Sequence, residues 1–128
     1  MGRETSTDNP VVLVVEDDPA VRELLDDVLG ELDYEVVAVE DGGAALRIMR
    51  SVRIDLITLD LDLPGLSGDE FLGVIQGRER LLPPVVLITS DAPVSRGLQS
   101  KVQAVVHKPF DVDELIEVIR GLLTARGI

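Results

Sequence analysis

Four apolar runs in this chain end in side chains that could do chemistry. Glu16-Asp17-Asp18 closes "VVLVVE" and Asp60 closes "DLITLD", with Asp62 two residues on; Thr89 closes "PVVLIT" and Lys108 closes "QAVVHK". Carboxylates gathered at one place repel, and they persist where a cation offsets the repulsion. A hard divalent ion such as Mg²⁺ takes oxygen ligands and keeps several waters. A carboxylate can also attack phosphorus and become an acyl phosphate. The new phosphoryl oxygens would then need partners, for which the metal, the Lys108 ammonium and the Thr89 hydroxyl are suited.

Each residue also has a plainer reading. Asp18 before Pro19 suits a helix cap. Thr89 is β-branched and at home in a strand. Lys108 is a surface lysine, and His107 a strand residue pointing off the site. Asp55 and Asp91 suit turns or caps. Taken singly these readings win. Complementary chemistry at four separate strand ends favours the joint one.

The elements must bring those ends together. Five β-branched apolar runs stand out, at 11–16, 35–40, 55–60, 84–89 and 103–108. Most are nearly continuous rather than alternating, as in strands of a parallel sheet covered on both faces. Helical patterns lie between them. Val21, Leu24, Leu25, Val28, Leu29 and Leu32 recur at helical spacing; Leu46, Ile48, Met49 and Val52 form a shorter pattern. Ser67 with Glu70 makes a capping box before Phe71, and Asp111 with Glu114 resembles another before Leu115. Residues 91–100, with Pro93 and Gly97, leave room for little more than two helical turns. Strand and helix thus alternate five times. The expected fold is an α/β three-layer sandwich, a five-stranded parallel sheet with five alternating helices and right-handed crossovers. Such sheets bind ligands outside the carboxyl ends of their strands.

Composition narrows the function. The 128 residues suffice for one domain, read as a polar leader at 1–9 and a folded unit at 10–126. Hydrophobic residues are 45% and aromatics only 2%, so the core is aliphatic. The absence of cysteine excludes disulfides, thiolate catalysis and Cys-based zinc sites, and fits a cytoplasmic protein. His107 is the only histidine, which excludes multi-His metal sites. A net charge of −12 opposes direct nucleic-acid binding by this domain. There is no apolar run long enough for a membrane span and no secretion signal at the start.

With these residues in place, the chain resembles the receiver domain of two-component response regulators. "VVLVVEDDPAVRELL", "DLITLDLDLPGLSGDEFL", "VVLITS" and "HKPF" fall in that family's order, and the resemblance covers residues 10–125. It implies a flavodoxin-like fold of receiver type. It implies a phosphoacceptor at Asp60, supplied by a histidine kinase or phosphotransfer protein, with Mg²⁺ as cofactor. The metal set would be Glu16, Asp17, Asp60 and Asp62, the last through its backbone carbonyl rather than necessarily its side chain. Thr89 matches the switch hydroxyl and Lys108 the lysine of the Lys-Pro pair. The domain would catalyse its own phosphorylation and hydrolysis, a switch rather than a turnover enzyme, and would alter binding to a downstream protein. With the chain stopping at "LLTARGI", it reads as a stand-alone regulator. Departures are Val105, where an aromatic residue is frequent, a short stretch between Thr89 and Lys108, and an acid at position 62.

Rival readings remain. "LITLDLDLPG" resembles the DxD motif of haloacid-dehalogenase-type phosphatases, with Asp60 as nucleophile and Asp62 as general acid. That motif belongs on the first strand of a larger domain. A receiver-like interaction domain that accepts no phosphate is another alternative. An EF-hand is excluded, because Phe71 stands where a bidentate Glu is needed and a strand precedes the loop.

Overall fold

A computed structural model describes residues 9–61, 63, 65, 67–78, 82–90 and 94–127. Asp62, Asp91, Pro93 and nearly all of the 1–9 leader lie outside the described residues. The strands are β1 (Val11–Val15), β2 (Glu35–Val39), β3 (Leu56–Asp60), β4 (Val85–Thr89) and β5 (Ala104–His107). The helices are α1 (Pro19–Glu31), α2 (Gly42–Met49), α3 (Gly68–Arg78), α4 (Arg96–Gln99) and α5 (Val112–Ala125). All strand pairings are parallel, in the order β2-β1-β3-β4-β5. The expected five-strand, five-helix α/β architecture is what the chain adopts.

Side chains alternate between the two faces of each strand, which explains the unbroken apolar runs. Leu13, Val15, Ile57, Leu59 and Leu87 pack with Ala45 of α2, Phe71, Leu72 and Ile75 of α3, and Leu98 of α4. Val12, Val14, Leu56, Val86 and Ile88 pack with Leu25 and Leu29 of α1 and with Leu115, Ile119 and Leu123 of α5. The central strands β3 and β4 are buried throughout, whereas edge strand β2 is not.

The helix starts follow their capping chemistry. Asp18 accepts from the Ala20 N–H at 2.9 Å. Ser67 and Glu70 exchange reciprocal bonds of 3.0 and 3.1 Å. Asp111 accepts from Asp113 and Glu114. Helix α4 is a single turn, inside the little more than two turns for which the sequence leaves room. One detail differs from expectation. Asp55 is buried rather than a turn or cap residue: its Oδ2 accepts from the Val11 N–H at 2.8 Å and its Oδ1 pairs with Arg53 Nε at 3.3 Å. It thereby ties the base of β1 to the entry of β3. No helix among the described residues is long and apolar enough to cross a membrane.

Candidate functional site

After β1 the chain goes to one side for β2 and then to the other side for β3 and beyond. That reversal opens a crevice above the carboxyl ends of β1 and β3, where α/β sheets bind ligands. Glu16 and Asp60 therefore stand side by side at the crevice because their strands are neighbours.

Glu16 is the first residue past β1, and its N–H still bonds to the Val39 carbonyl at 3.0 Å. Its side chain is 2% exposed and Asp60 is 4% exposed, while Asp17 between them in chain order faces solvent. The strand alternation turns one acid inward and the next outward. Glu16, Asp17 and Asp60 each present an oxygen ligand, all within 4.8 Å of one another. Lys108 directly follows the end of β5, and its peptide bond to Pro109 is cis. Its Nζ lies 3.1 Å from Glu16 Oε1, 3.2 Å from Glu16 Oε2 and 3.3 Å from Asp60 Oδ2.

These contacts set the charges. The Glu16 carboxyl is pushed up to about 7 from its ordinary 4.5, first by burial and then by its hydrogen bond with Asp60. The Asp18 N–H and Lys108 pull it partly back. Lys108 is raised on balance: burial lowers it, but the hydrogen bonds and charges of Glu16 and Asp60 outweigh that. The pocket is one of crowded acids with a single ammonium among them.

Thr89 ends β4, next to Ile88, which pairs with Asp60 across the sheet. Its carbonyl accepts from the Lys108 N–H at 2.6 Å. Its hydroxyl is fully buried and has no hydrogen-bond partner among the described residues. A buried polar group in that state calls for an explanation. The fold thus gathers Glu16, Asp17, Asp60 and Lys108, with Thr89 on the adjoining strand end. His107 is exposed, its Nδ1 3.3 Å from the Ser90 carbonyl, and stands apart from the acids.

Two residues at the site escaped the sequence reading. Gly68 opens α3 directly against the end of β3: a Cβ there would sit 3.1 Å from both the Asp60 carbonyl oxygen and Leu61 Cα. The glycine in "SGDE" was the available signal. Arg22 donates from Nη1 to the Glu16 carbonyl at 2.8 Å. Its signal was a cation on α1 four residues after the cap.

Fold and site together define a doubly wound α/β domain with an acidic crevice at its switch point. Comparison with known proteins is in accord. The family model "Response regulator receiver domain" matches residues 12–120, and the chain belongs to that family, the receiver domains of two-component signalling. The DNA-binding response regulator MtrA of Mycolicibacterium smegmatis is 36% identical over 115 residues, 88% of this chain and 50% of MtrA. This chain thus spans about half the length of that curated relative. Among solved structures, the response regulator TrrA of Thermotoga maritima in complex with Mg²⁺-BeF is 34% identical, with a TM-score of 0.74 over 88% of this chain and 98% of that one. TrrA in complex with the histidine kinase ThkA gives 36% identity and a TM-score of 0.79 over 89% and 98%.

Proposed function

We propose that this domain is a phosphoacceptor switch in which Asp60 takes a phosphoryl group from a histidine kinase or phosphotransfer protein. The observation that carries the reading is the position of Lys108 Nζ, within 3.3 Å of both Glu16 and Asp60 in a cluster of three carboxylates. An Asp60 carboxylate oxygen attacks phosphorus. The new O–P bond forms as the P–N bond to the donor imidazole breaks, and the electron pair leaves on the imidazole nitrogen, which is then protonated.

The three acids fit a hard divalent cation, and Glu16, Asp17 and Asp60 would hold Mg²⁺; the family resemblance adds the backbone carbonyl of Asp62, which lies outside the described residues. When bound, that ion supplies positive charge against the phosphoryl oxygens. Lys108 turns from the carboxylates to a phosphoryl oxygen and keeps a charge-assisted hydrogen bond. The buried Thr89 hydroxyl, unpartnered among the described residues, donates to another phosphoryl oxygen. A hydroxyl and an ammonium that change partners on phosphorylation give two states for a downstream protein to tell apart. Val21, Leu24, Pro109 and Phe110 line an apolar groove beside Lys108, which offers a phosphodonor protein a surface next to the acceptor.

The reading carries further expectations: a cytoplasmic location, where such donors act, and no direct nucleic-acid contact by a domain of charge −12. The test is intact mass after treatment with acetyl phosphate and Mg²⁺. Gain of one phosphoryl group by the parent and none by Asp60→Asn is expected. No gain by the parent would favour a receiver-like interaction domain that accepts no phosphate.

A further inference from the structure

The turn Glu16-Asp17-Asp18 places three consecutive acids at the mouth of the crevice, and their mutual repulsion acts to spread it. Backbone contacts hold it in part. The Glu16 N–H bonds to Val39 O at 3.0 Å and the Asp18 N–H to Glu16 Oε2 at 3.1 Å. The Glu16 carbonyl lies past the end of β1, where a strand N–H is no longer at hand. Its partner is instead Arg22 Nη1, at 2.8 Å in a part-buried contact. Side chains of a helix tilt toward its N-terminus, so a long side chain on the first turn reaches back over the preceding loop. Arg22 sits on that first turn, where its own N–H bonds to the Asp18 carbonyl at 2.9 Å. The same residue therefore fixes both ends of the acidic turn.

We infer that Arg22 is a positioning residue for the divalent-cation site: by clamping the Glu16 carbonyl it holds the Glu16 and Asp17 carboxylates in register with Asp60. This rests on the metal reading of the crevice given above. A hydrogen bond from a charged donor is stronger than a neutral one. The Arg22 guanidinium donates to the Glu16 carbonyl, so its effect passes through the geometry of the turn.

Coulomb's law sets up the opposite expectation. Arg22 is a cation beside a site for a cation, so neutralising it would by charge alone tighten Mg²⁺ binding. Arg22→Met keeps the apolar stem and removes the charge and the donors, so the sign of its effect separates the two ideas.

Mg²⁺ binding to the whole 128-residue chain is measured by titration calorimetry, and the melting temperature is taken in a metal chelator. Clamping predicts that Arg22→Met raises the Mg²⁺ Kd about tenfold, while the acetyl phosphate rate at saturating Mg²⁺ returns to within about twofold of the parent. An unchanged or lower Kd, even with a lower melting temperature, would leave Arg22 a purely structural residue and sink the inference. A rate deficit persisting at saturating Mg²⁺ would also overturn it, since Arg22 would then act on transfer itself. Should Arg22→Met not fold, Arg22→Lys decides: the charge is kept but the planar fork is lost, so a weaker Mg²⁺ affinity supports clamping and an unchanged one refutes it. A parent chain that binds no Mg²⁺ would overturn the metal reading and this inference with it.

Discussion

Lys108 Nζ lies 3.1 Å from Glu16 Oε1 and 3.3 Å from Asp60 Oδ2, although the three residues are far apart in the chain. One ammonium thus holds together two carboxyls that are each nearly inaccessible to water. Parallel pairing of β1 with β3 makes the two acids neighbours, and β5 delivers the lysine from the sheet edge. The energetic balance of the crevice, and its expected response to pH, metal and mutation, follow from this triangle.

The first consequence is a pH dependence of metal-free stability. Glu16 titrates at about 7 in the folded chain and at its ordinary 4.5 when unfolded. Between these values the folded state holds the extra proton, so Glu16's contribution falls as pH rises from 4.5 through 7. Lys108, raised above 10.5, stays protonated in both states across this window and adds no slope. In chelator, the parent should therefore lose stability between pH 5 and pH 8 relative to Glu16→Gln, whose amide does not titrate. Saturating Mg²⁺, bound by the ionised form, should remove most of that difference. Parallel melting curves for parent and variant across this range would contradict it.

Lys108→Met removes the shared cation and leaves Glu16 facing Asp60. The variant should be destabilised in chelator by roughly 1–3 kcal/mol, less than for a fully enclosed ion pair because Lys108 remains 24% exposed. The loss should be larger at pH 8 than at pH 5.5, where a proton between the two acids replaces the ammonium. Phosphorylation should persist with Mg²⁺ present, but one anchor for the phosphoryl oxygens is gone. If the phosphorylated variant matched the phosphorylated parent in partner binding, Lys108 would have no part in switching.

Asp60→Asn should end phosphate uptake and keep the fold, since the amide has nearly the same shape but is a poor nucleophile. It also removes one of the crowded charges, so its melting temperature in chelator should equal or exceed the parent's. Phosphate uptake at the parent's level would move the acceptor elsewhere.

Much of this was legible in the residues. Continuous β-branched runs marked buried parallel strands, and acids, a threonine and a lysine at strand ends marked the crevice. What escaped depends on contacts between distant segments. Asp55 has the composition of a turn residue, and only the approach of Val11 and Arg53 makes its burial tolerable. Glu16 and Asp17 are adjacent acids, and strand alternation beyond β1 decides which turns inward. For α4 the sequence set only an upper bound, because the weak pattern around Gly97 marks no clear end. Arg22 looks like any solvated helix cation until the Glu16 carbonyl is placed beneath it.

Gly68 carries the last prediction. Its N–H bonds to the Leu61 carbonyl at 3.3 Å, and α3 begins directly against the end of β3. A methyl group there would lie 3.1 Å from the Asp60 carbonyl oxygen and Leu61 Cα, and 3.2 Å from the Leu61 carbonyl oxygen. All three neighbours are backbone atoms and none is the end of a flexible side chain. Accommodation therefore requires α3 or the residues just after Asp60 to move by some tenths of an ångström. Gly68 does not sit at positive φ, so the added methyl meets a problem of space rather than of backbone conformation. Alanine also gains helix propensity of up to about 1 kcal/mol over glycine, whereas overpacking a tight contact costs about 1–3 kcal/mol. The second term wins, and Gly68→Ala should be destabilised by about 1–2 kcal/mol. The displacement falls on Asp60 and the segment after it, so phosphorylation by acetyl phosphate should slow by more than the stability loss alone explains. Gly73→Ala, on the same helix with nothing within 4 Å of the added methyl, is the control and should be neutral or stabilising. If the two variants behaved alike in melting temperature and phosphorylation rate, the contact between α3 and β3 would have no bearing on the site.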